Sequence, residues 1–503
     1  MSLVGVDIGS TNCKAILFQA DGTQLASASR EYAEVYPGPN MIELPAETVW
    51  AAVCEVLNRV GNEAKNDPIQ GVCFSAIGEA FTPVNRDGKF LHNTIVSADN
   101  RAVPQMQQLL EKINARRIFE ITGMPAHPSL TLGKVMWLRE NMPQVHEQTW
   151  KYLTWPDTAA MKLGLEPRMD WTEAGRSMAF NVVGKEFSSE ILEAANLNAS
   201  MFATPIASGE VVGSIGPGGH AESGLPAGCL VVAGGHDQPM TALGAGVIHE
   251  GMAVDGMGTV ECITVAFRQP VLTEAMREHN YCCYPHVCNG LYASLAYNYT
   301  CGAALRWFRD NLGHAAQAQA TAEGLDVYDV LTADLPQDPT GLLFVPYMAG
   351  SGTPYLDPHA KGILVGLTLG CDQKDLVKGM LEGICYELAL NIEALDEAGV
   401  KIERLRCTGG GSRSRQWMQL KADITGRECV ALDVSEGGCL AAAMLAGVQA
   451  GVYSSVEEAV GLLVHEKESF EPDMAAHARY REHFERYKEV WPTLRDVVHR
   501  MGT

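Results

Sequence analysis

Apolar residues along this chain follow two alternating patterns. Some recur at helical spacing, as in Val49, Val53, Val56, Leu57 and Val60, and again in Leu376, Met380, Leu381, Ile384, Leu388, Ile392 and Leu395. Others form short runs that end near Gly, Ser or Asp, at 71–75, 230–233, 402–407 and 430–434. The first pattern predicts amphipathic helices and the second predicts buried strands. Strands that alternate with helices predict an α/β fold.

One strand-turn-strand pattern occurs twice. Residues 4–11 and 253–259 each run from an apolar strand through Asp and Gly to a hydroxyl residue, and a second strand follows each of them. We expect two hairpins with glycine-rich tips, one formed by Ser10 and Thr11 and the other by Gly258 and Thr259. Bare backbone N–H groups and hydroxyls suit phosphate, so two tips that face each other across a cleft would hold a polyphosphate. An ordinary turn is the alternative for either copy taken alone.

Length and repeat together predict two large domains. A chain of 503 residues is too long for one hydrophobic core, and the repeat opens each half. We expect the boundary just after a helix that follows the strand at 230–233. The predicted domains are 1–243 and 244–503, with a hinge near 243–253.

Composition narrows the class of protein. The formal charge of −22 argues against nucleic acid and an anionic membrane as partners, because both need a basic surface. No apolar run is long enough to span a bilayer. The 14 cysteines are mostly scattered singly and form no C-x-x-C pair, as expected for reduced core residues of a cytoplasmic protein.

Two aspartates are candidates for chemistry. Asp237 follows Gly234 and Gly235 at the end of a predicted strand, where open α/β sheets bind ligands. An aspartate there could accept the proton of a substrate hydroxyl during phosphoryl transfer, or it could cap the following helix. Asp7, in the first hairpin, could lie beside phosphate-bound Mg²⁺ or could only stabilise its turn.

Further candidates lie in loops. The stretch 408–412, with Gly410, Gly411 and Ser412, connects a predicted strand to a helix and could receive a nucleotide, although a glycine triplet alone is a weak signal. Glu79 and Asp99 follow predicted strands of the first domain. Carboxylates there could grip sugar hydroxyls, whereas most acidic residues are solvated surface.

The chain resembles the FGGY carbohydrate kinases. Residues 129–141 look like the first signature of that family, and 362–367 with Asp375, Leu376 and 380–382 look like the second, with Gly379 where Ala or Ser is expected. Both hairpins, Asp237 and the glycine loop stand in the family's order. The resemblance covers nearly the whole chain.

The resemblance implies two actin-like (ribonuclease H-like) domains, each a mixed five-stranded sheet flanked by helices, that close over ATP, Mg²⁺ and a sugar or polyol. Asp237 would be the catalytic base, and Asp7 would lie by the metal. The remaining matches are phosphate- or nucleotide-binding positions (Ser10, Thr11, Gly258, Thr259, Gly302, Gly410, Gly411 and Ser412) and substrate-contacting positions (Glu79, Asp99 and Gln238). Most of the sugar site would lie on the first domain and most of the nucleotide site on the second.

Departures from the family pattern concern the substrate. Where this chain has Ile77, Gly78 and Glu79, xylulokinase-like members carry Gln-Met-His and glycerol kinases carry Arg-Glu-Thr. Ser97 replaces a common tryptophan. We expect an ATP-dependent kinase of a small neutral ketose or polyol, with a homodimer left open. The alternatives are an actin-like or chaperone-like ATPase and a sugar-sensing protein that has lost turnover.

Overall fold

The structure is a computed structural model that describes residues 1–64 and 67–501. Its strands are β1 Ser2–Ile8, β2 Asn12–Gln19, β3 Gln24–Glu31, β4 Glu43–Leu44, β5 Ile69–Ala76, β6 Thr82–Val84, β7 Thr94–Ile95, β8 Lys151–Leu153, β9 Arg168–Asp170, β10 Phe180–Asn181, β11 Glu186–Phe187, β12 Thr204–Ile206, β13 Val211–Ser214, β14 Leu230–His236, β15 Met252–Met257, β16 Glu261–Phe267, β17 Tyr284–Pro285, β18 Tyr292–Asn298, β19 Leu343–Val345, β20 Ile363–Val365, β21 Arg404–Thr408, β22 Glu428–Leu432 and β23 Glu466–Phe470.

Helices connect and cover these strands. They are α1 Ala46–Glu63, α2 Val103–Lys112, α3 Ala115–Thr122, α4 Thr131–Asn141, α5 Pro143–Gln148, α6 Trp155–Lys162, α7 Trp171–Arg176, α8 Ser189–Ala194, α9 Pro217–Ser223, α10 Asp237–Gly244, α11 Glu274–Glu278, α12 Gly302–Asn311, α13 His314–Glu323, α14 Val327–Thr332, α15 Gln373–Ala398, α16 Arg415–Thr425, α17 Gly437–Gln449, α18 Val456–Leu463 and α19 Met474–Met501. The two helices predicted from apolar spacing are α1 and α15. A capping box at Asp372 begins α15, and Gly399, with φ of 99°, ends it.

Two mixed sheets repeat one arrangement. The first has the order β13-β14-β5-β1-β2-β3 and the second β17-β18-β16-β15-β21-β22-β23. In each, a hairpin supplies the central strand, which is antiparallel to its hairpin partner and parallel to the next strand: β1 lies between β2 and β5, and β15 lies between β16 and β21. The internal repeat in the sequence is therefore a repeat of topology.

The predicted five strands form the centre of each sheet, but the sheets are wider. The sheets have six and seven strands because β13, β17 and β23 each add an antiparallel strand at an edge. These segments are only two to five residues long, so they carry little alternation to detect. The added strands pair with backbone N–H and C=O groups that would otherwise be unpaired at the sheet edge.

Helices α10 and α17 connect the two sheets. Although α17 comes from the second half of the chain, it packs on β1 and β5 of the first sheet, where a Cβ at Gly5 would lie 1.8 Å from the carbonyl oxygen of Cys439. The α10 helix contacts strands of both sheets. The two helices touch at Gly244, whose added Cβ would lie 2.1 Å from the carbonyl oxygen of Gly437. Only glycine permits these approaches.

Three hydrophobic cores result. One is formed mainly by the first half and one mainly by the second. A third joins the halves through residues of both sheets and of α10 and α17, including Leu3, Val232, Leu243, Val254, Val430 and Leu445. The halves therefore meet along a packed base. The carboxyl ends of β1, β14, β15 and β21 lie next to the segments that carry the predicted site residues.

Candidate active site

A cavity of about 430 Å³ lies between the end of β1 and the glycine loop after β21. Asp7, Gly410 and Ser412 line it, so the structure brings together residues predicted from two separate parts of the chain. The rest of the wall includes Thr241 of α10, the segment 431–436, the first residues of α17 and the basic residues Arg413 and Lys467. A Cβ at Gly410 would meet no atom within 4 Å, which leaves open space above that loop.

The surroundings of Asp7 disfavour the charged form of its carboxylate. One of its oxygens, Oδ1, accepts a hydrogen bond of 2.6 Å from the hydroxyl of Ser75 on β5. Burial raises the pKa of Asp7 to about 6, with smaller contributions from the negative charges of Asp237 and Glu436. A cation beside this carboxylate would favour its charged form. The residues present therefore fit a metal site at Asp7.

The tip of the first hairpin is accessible. Gly9 N–H donates to the carbonyl of Asn12 at 2.9 Å and closes a tight turn. Ser10 is half-buried and Thr11 is exposed. Among the described residues, neither hydroxyl has a hydrogen-bond partner, so both are free to meet a ligand.

The second hairpin packs against the other predicted nucleotide elements. Gly258 and Thr259 are exposed at its tip. The N–H of Gly302, at the start of α12, donates to the carbonyl of Gly258 at 2.9 Å. A Cβ at Gly409 would lie 2.7 Å from the carbonyl oxygen of Met257. The hairpin tip, the start of α12 and the glycine loop thus form one contiguous surface.

Asp237 is the first residue of α10. The N-cap is His236, so the helix-cap interpretation of Asp237 is not supported. His236 Nε2 lies 3.1 Å from Asp237 Oδ1, and His236 Nδ1 lies 3.0 Å from the hydroxyl of Tyr284. An imidazole protonated on Nε2 would donate to Asp237 and accept from Tyr284, which fixes the carboxylate. Gln238 follows in the first turn and is half-buried.

Glu79 forms a buried ion pair that the sequence did not indicate. Its Oε1 accepts from Nε of Arg176, at the end of α7, and the exposed fractions of the two side chains are 7% and 15%. Arg176 also lies over the ring of Tyr284 at 5.4 Å, and its Nη1 contacts the sulfur of Met124 at 3.5 Å. Glu79 has φ of 60°, an unfavourable conformation for a residue other than glycine. Such backbone strain is common at functional sites.

Asp99 has different surroundings. Its side chain is fully buried, and its oxygens accept from the N–H of Ile42 at 2.7 Å and from the guanidinium of Arg101 at 2.8–3.0 Å. Arg101 also donates to Glu43 at 2.8 Å. Contact between Asp99 and substrate hydroxyls stays a prediction, but these contacts are those of a residue that holds a loop in place.

Two family models match consecutive parts of the chain. Residues 2–244 match the FGGY family of carbohydrate kinases, N-terminal domain, and residues 256–450 match its C-terminal domain. The chain belongs to the FGGY family of carbohydrate kinases. It is therefore a carbohydrate kinase, and the resemblance read from its two signatures is confirmed.

This FGGY kinase is similar to several known kinases over most of its length. It is 25% identical over 500 residues to the xylulose kinase of Bacillus subtilis (strain 168), covering 98% of this chain and 97% of the relative. It is 28% identical over 508 residues to the glycerol kinase of Citrifermentans bemidjiense, covering 96% of each chain. It is 27% identical over 454 residues to the gluconokinase of Bacillus subtilis (strain 168), covering 88% of this chain and 86% of the relative.

Solved structures share the fold of this FGGY kinase. The ligand-bound xylulose kinase of Lactobacillus acidophilus aligns with a TM-score of 0.90 at 22% identity over 99% of each chain. The glycerol kinase of Plasmodium falciparum with ADP aligns with a TM-score of 0.86 at 19% identity over 98% of each chain. The predicted two-domain α/β fold is confirmed. Within residues 1–64 and 67–501, no helix is long and apolar enough to cross a membrane.

Some residues around this FGGY site were missed from the sequence. Lys14 had a local signal, because the hairpin register places it directly opposite Asp7. Arg176 had none, because it is 97 positions from Glu79 and only the fold joins them. The same holds for Glu436, which lies 422 positions from Lys14.

Proposed function

We propose that this FGGY kinase transfers the γ-phosphoryl group of ATP to a hydroxyl of a small neutral ketose or polyol, with Asp237 as the general base. The observation that carries this proposal is the position of Asp237 at the start of α10, held by His236 and close enough to Asp7 to raise its pKa. A base and a phosphate-side carboxylate in one cleft suit in-line transfer, which asks mainly for positioning.

The remaining residues have proposed roles in binding. Ser10, Thr11, Gly258 and Thr259 would hold phosphates, because their tips offer N–H groups and hydroxyls. Gly302, Gly410, Gly411 and Ser412 would line the nucleotide site. Among the described residues, no group of three or more His, Cys, Asp or Glu could hold a metal ion. Asp7 would therefore hold Mg²⁺ together with phosphate oxygens and water, and bound Mg²⁺ neutralises phosphate charge.

The two halves of the chain have different proposed binding roles. We propose that residues 1–243 supply most of the sugar site, through Glu79, Asp99 and Gln238, and that residues 244–503 supply most of the nucleotide site. Of the three sugar-site residues, Glu79 has the surroundings that best suit contact with hydroxyls. Asp99 would act mainly through the loop that it holds.

A neutral substrate is favoured by the charge of this site. The guanidinium of Arg176 is already paired with Glu79, and the ammonium of Lys14, which lies near Asp7, is already paired with Glu436. A substrate carboxylate beside Asp237 and Asp7 would meet like charge. Among the relatives, the names xylulose kinase and glycerol kinase fit this expectation better than gluconokinase does.

A substrate panel tests the proposal. The purified protein is given ATP and Mg²⁺ with xylulose, glycerol, related ketoses and polyols, or gluconate, and both ADP release and the phosphorylated product are measured. We expect turnover on a neutral compound that disappears in Asp237→Asn. Preference for gluconate, or ADP release that does not depend on a sugar, would overturn it.

A further inference from the structure

A three-residue ion cluster lies fully buried beneath the second hairpin. The ammonium of Lys421, on α16, contacts a carboxylate oxygen of Asp255 on β15 and lies 2.7 Å from Oε1 of Glu261 on β16. All three side chains have no exposed surface. Oδ1 of Asp255 and Oε2 of Glu261 have no hydrogen-bond partner among the described residues. Apart from a weak hydrogen bond of 3.8 Å that the thiol of Cys407 donates to Oδ2 of Asp255, each acid therefore depends on Lys421 for its compensation.

The cluster brackets the hairpin tip. Asp255 lies three positions before Gly258, and Glu261 lies two positions after Thr259, paired with Met257 in the strand register. Lys421 thus joins the two strands at the base of the tip. It reaches them from α16, the helix that follows the glycine loop 408–412.

The aspartates of the two hairpins differ in their surroundings. Each hairpin has an aspartate on its first strand close to the tip, Asp7 two positions before Gly9 and Asp255 three positions before Gly258. Asp7 faces the cavity and has Ser75 as its hydrogen-bond donor, whereas Asp255 is closed off from solvent by a lysine. One hairpin leaves its carboxylate available to the site, and the other has a cation built in.

We propose that Lys421 is a positioning residue for the nucleotide site: it ties both strands of the second hairpin to α16 and so holds Gly258 and Thr259 in register with the glycine loop. This inference rests on the proposed nucleotide-binding role of that surface. It assigns Lys421 no contact with substrate.

The energetics support a positional role. Without the ammonium, two buried carboxylates of like charge would face each other across β15 and β16, a situation that separates strands or forces protonation. Burial raises the pKa of Glu261 to about 7 even with Lys421 present. Movement at the base of the hairpin would also displace its tip from the N–H of Gly302.

The decisive variant is Glu261→Leu. It keeps the Lys421–Asp255 pair at balanced charge and removes only the link to β16, so the thermal midpoint should hold or rise because a surplus buried carboxylate is gone. We expect the dissociation constant for ADP, measured by titration calorimetry, to rise roughly tenfold. The KM for the sugar should change less than about twofold.

Two further variants complete the test. Lys421→Met should weaken ADP binding at least as much as Glu261→Leu. Lys378→Met is the matched control, because Lys378 is another buried lysine of the same half, paired with Glu382 on α15. Its substitution should leave ADP affinity near the wild-type value.

The outcomes separate the inference from the proposed function. Unchanged ADP affinity in a folded Glu261→Leu protein would overturn the inference, as would an equal loss in Lys378→Met. ADP binding needs no sugar, so the inference can hold even where the proposed substrate is wrong. A wild-type protein that binds no ADP would overturn both.

Discussion

Asp7 and Lys14 occupy directly opposed positions on β1 and β2, yet Lys14 pairs with another acid. Its ammonium lies 2.5 Å from Oε1 of Glu436, just before α17. The pair joins the first hairpin to a segment more than 400 positions away in the chain, at the wall of the cavity. Burial is the main reason that the pKa of Asp7 is raised; the charge of Glu436 adds to this rise and the charge of Lys14 opposes it.

Asp7→Asn should stabilise the free protein and inactivate it. Burial raises the pKa of the Asp7 carboxyl from its ordinary value of 3.8 to about 6 in the folded protein, so ionising it in the folded state costs stability. After allowance for partial solvent contact, the gain in unfolding free energy near pH 7.5 should be about 1–2 kcal/mol. Denaturant unfolding should show the largest difference in unfolding free energy between Asp7→Asn and the wild type above pH 6, and no difference below about pH 4. An equal gap at all pH values would mean that titration of Asp7 is not its source.

Glu436→Gln should move the pH profile of activity. Glu436 raises the pKa of Asp7, and its removal also frees Lys14, whose charge lowers that pKa. Asp7 should then stay ionised to a lower pH, so the acid limb of kcat/KM should shift toward lower pH. Glu468 offers a control, because it pairs with Arg415 outside the cavity wall. Glu468→Gln should leave the acid limb of kcat/KM at the same pH. A limb that moves equally in both variants would contradict the assignment to Asp7.

Asp237→Asn should remove phosphoryl transfer while ADP still binds. The amide keeps the shape of the side chain and can still accept from His236, but it cannot take the hydroxyl proton, and a positioned base contributes roughly 10²–10⁴-fold in rate. Single-turnover kinetics and ADP calorimetry on the same sample separate chemistry from binding. Retention of more than about a tenth of the wild-type kcat would exclude Asp237 as the base.

Glu79→Gln and Asp99→Asn should act differently. Glu79 is buried in an ion pair with Arg176 on the predicted sugar side of the cleft, so its loss should raise the KM for the sugar with little effect on the KM for ATP. Asp99 is fully buried and accepts hydrogen bonds from Ile42 and Arg101. Its loss should lower the unfolding free energy by about 1–3 kcal/mol, and the thermal midpoint should fall with it. Steady-state kinetics and calorimetric melting on both variants make the comparison. A strong, sugar-specific KM effect in a stable Asp99→Asn protein would return that residue to the sugar site.

Sugar and nucleotide together should close the cleft. Each hairpin belongs to a different half, so neither half completes the site, and closure would exclude water from the γ-phosphate. Solution scattering with both ligands, using a non-hydrolysable ATP analogue, should give a smaller radius of gyration than the free protein. An unchanged radius with both ligands demonstrably bound would contradict closure.

The sequence alone determined the repeated framework and the local candidates. Apolar spacing predicts α1 and α15, and the run from 230 to 233 predicts β14, because helical and strand periodicities are local properties. The two Gly-rich hairpins predict the central strands of both sheets for the same reason. The roles of Asp7 and Asp237 as candidates follow from their places at strand ends.

Tertiary structure decided which of these candidates share an environment. The pairing of Glu79 with Arg176, of Lys14 with Glu436 and of Lys421 with Asp255 joins residues 97 to 422 positions apart. It also distinguished Glu79 from Asp99, which look alike in sequence but differ in exposure and partners. Ion pairing, burial and the pKa values that follow from them depend on what surrounds a group in three dimensions, and local periodicity contains no record of that.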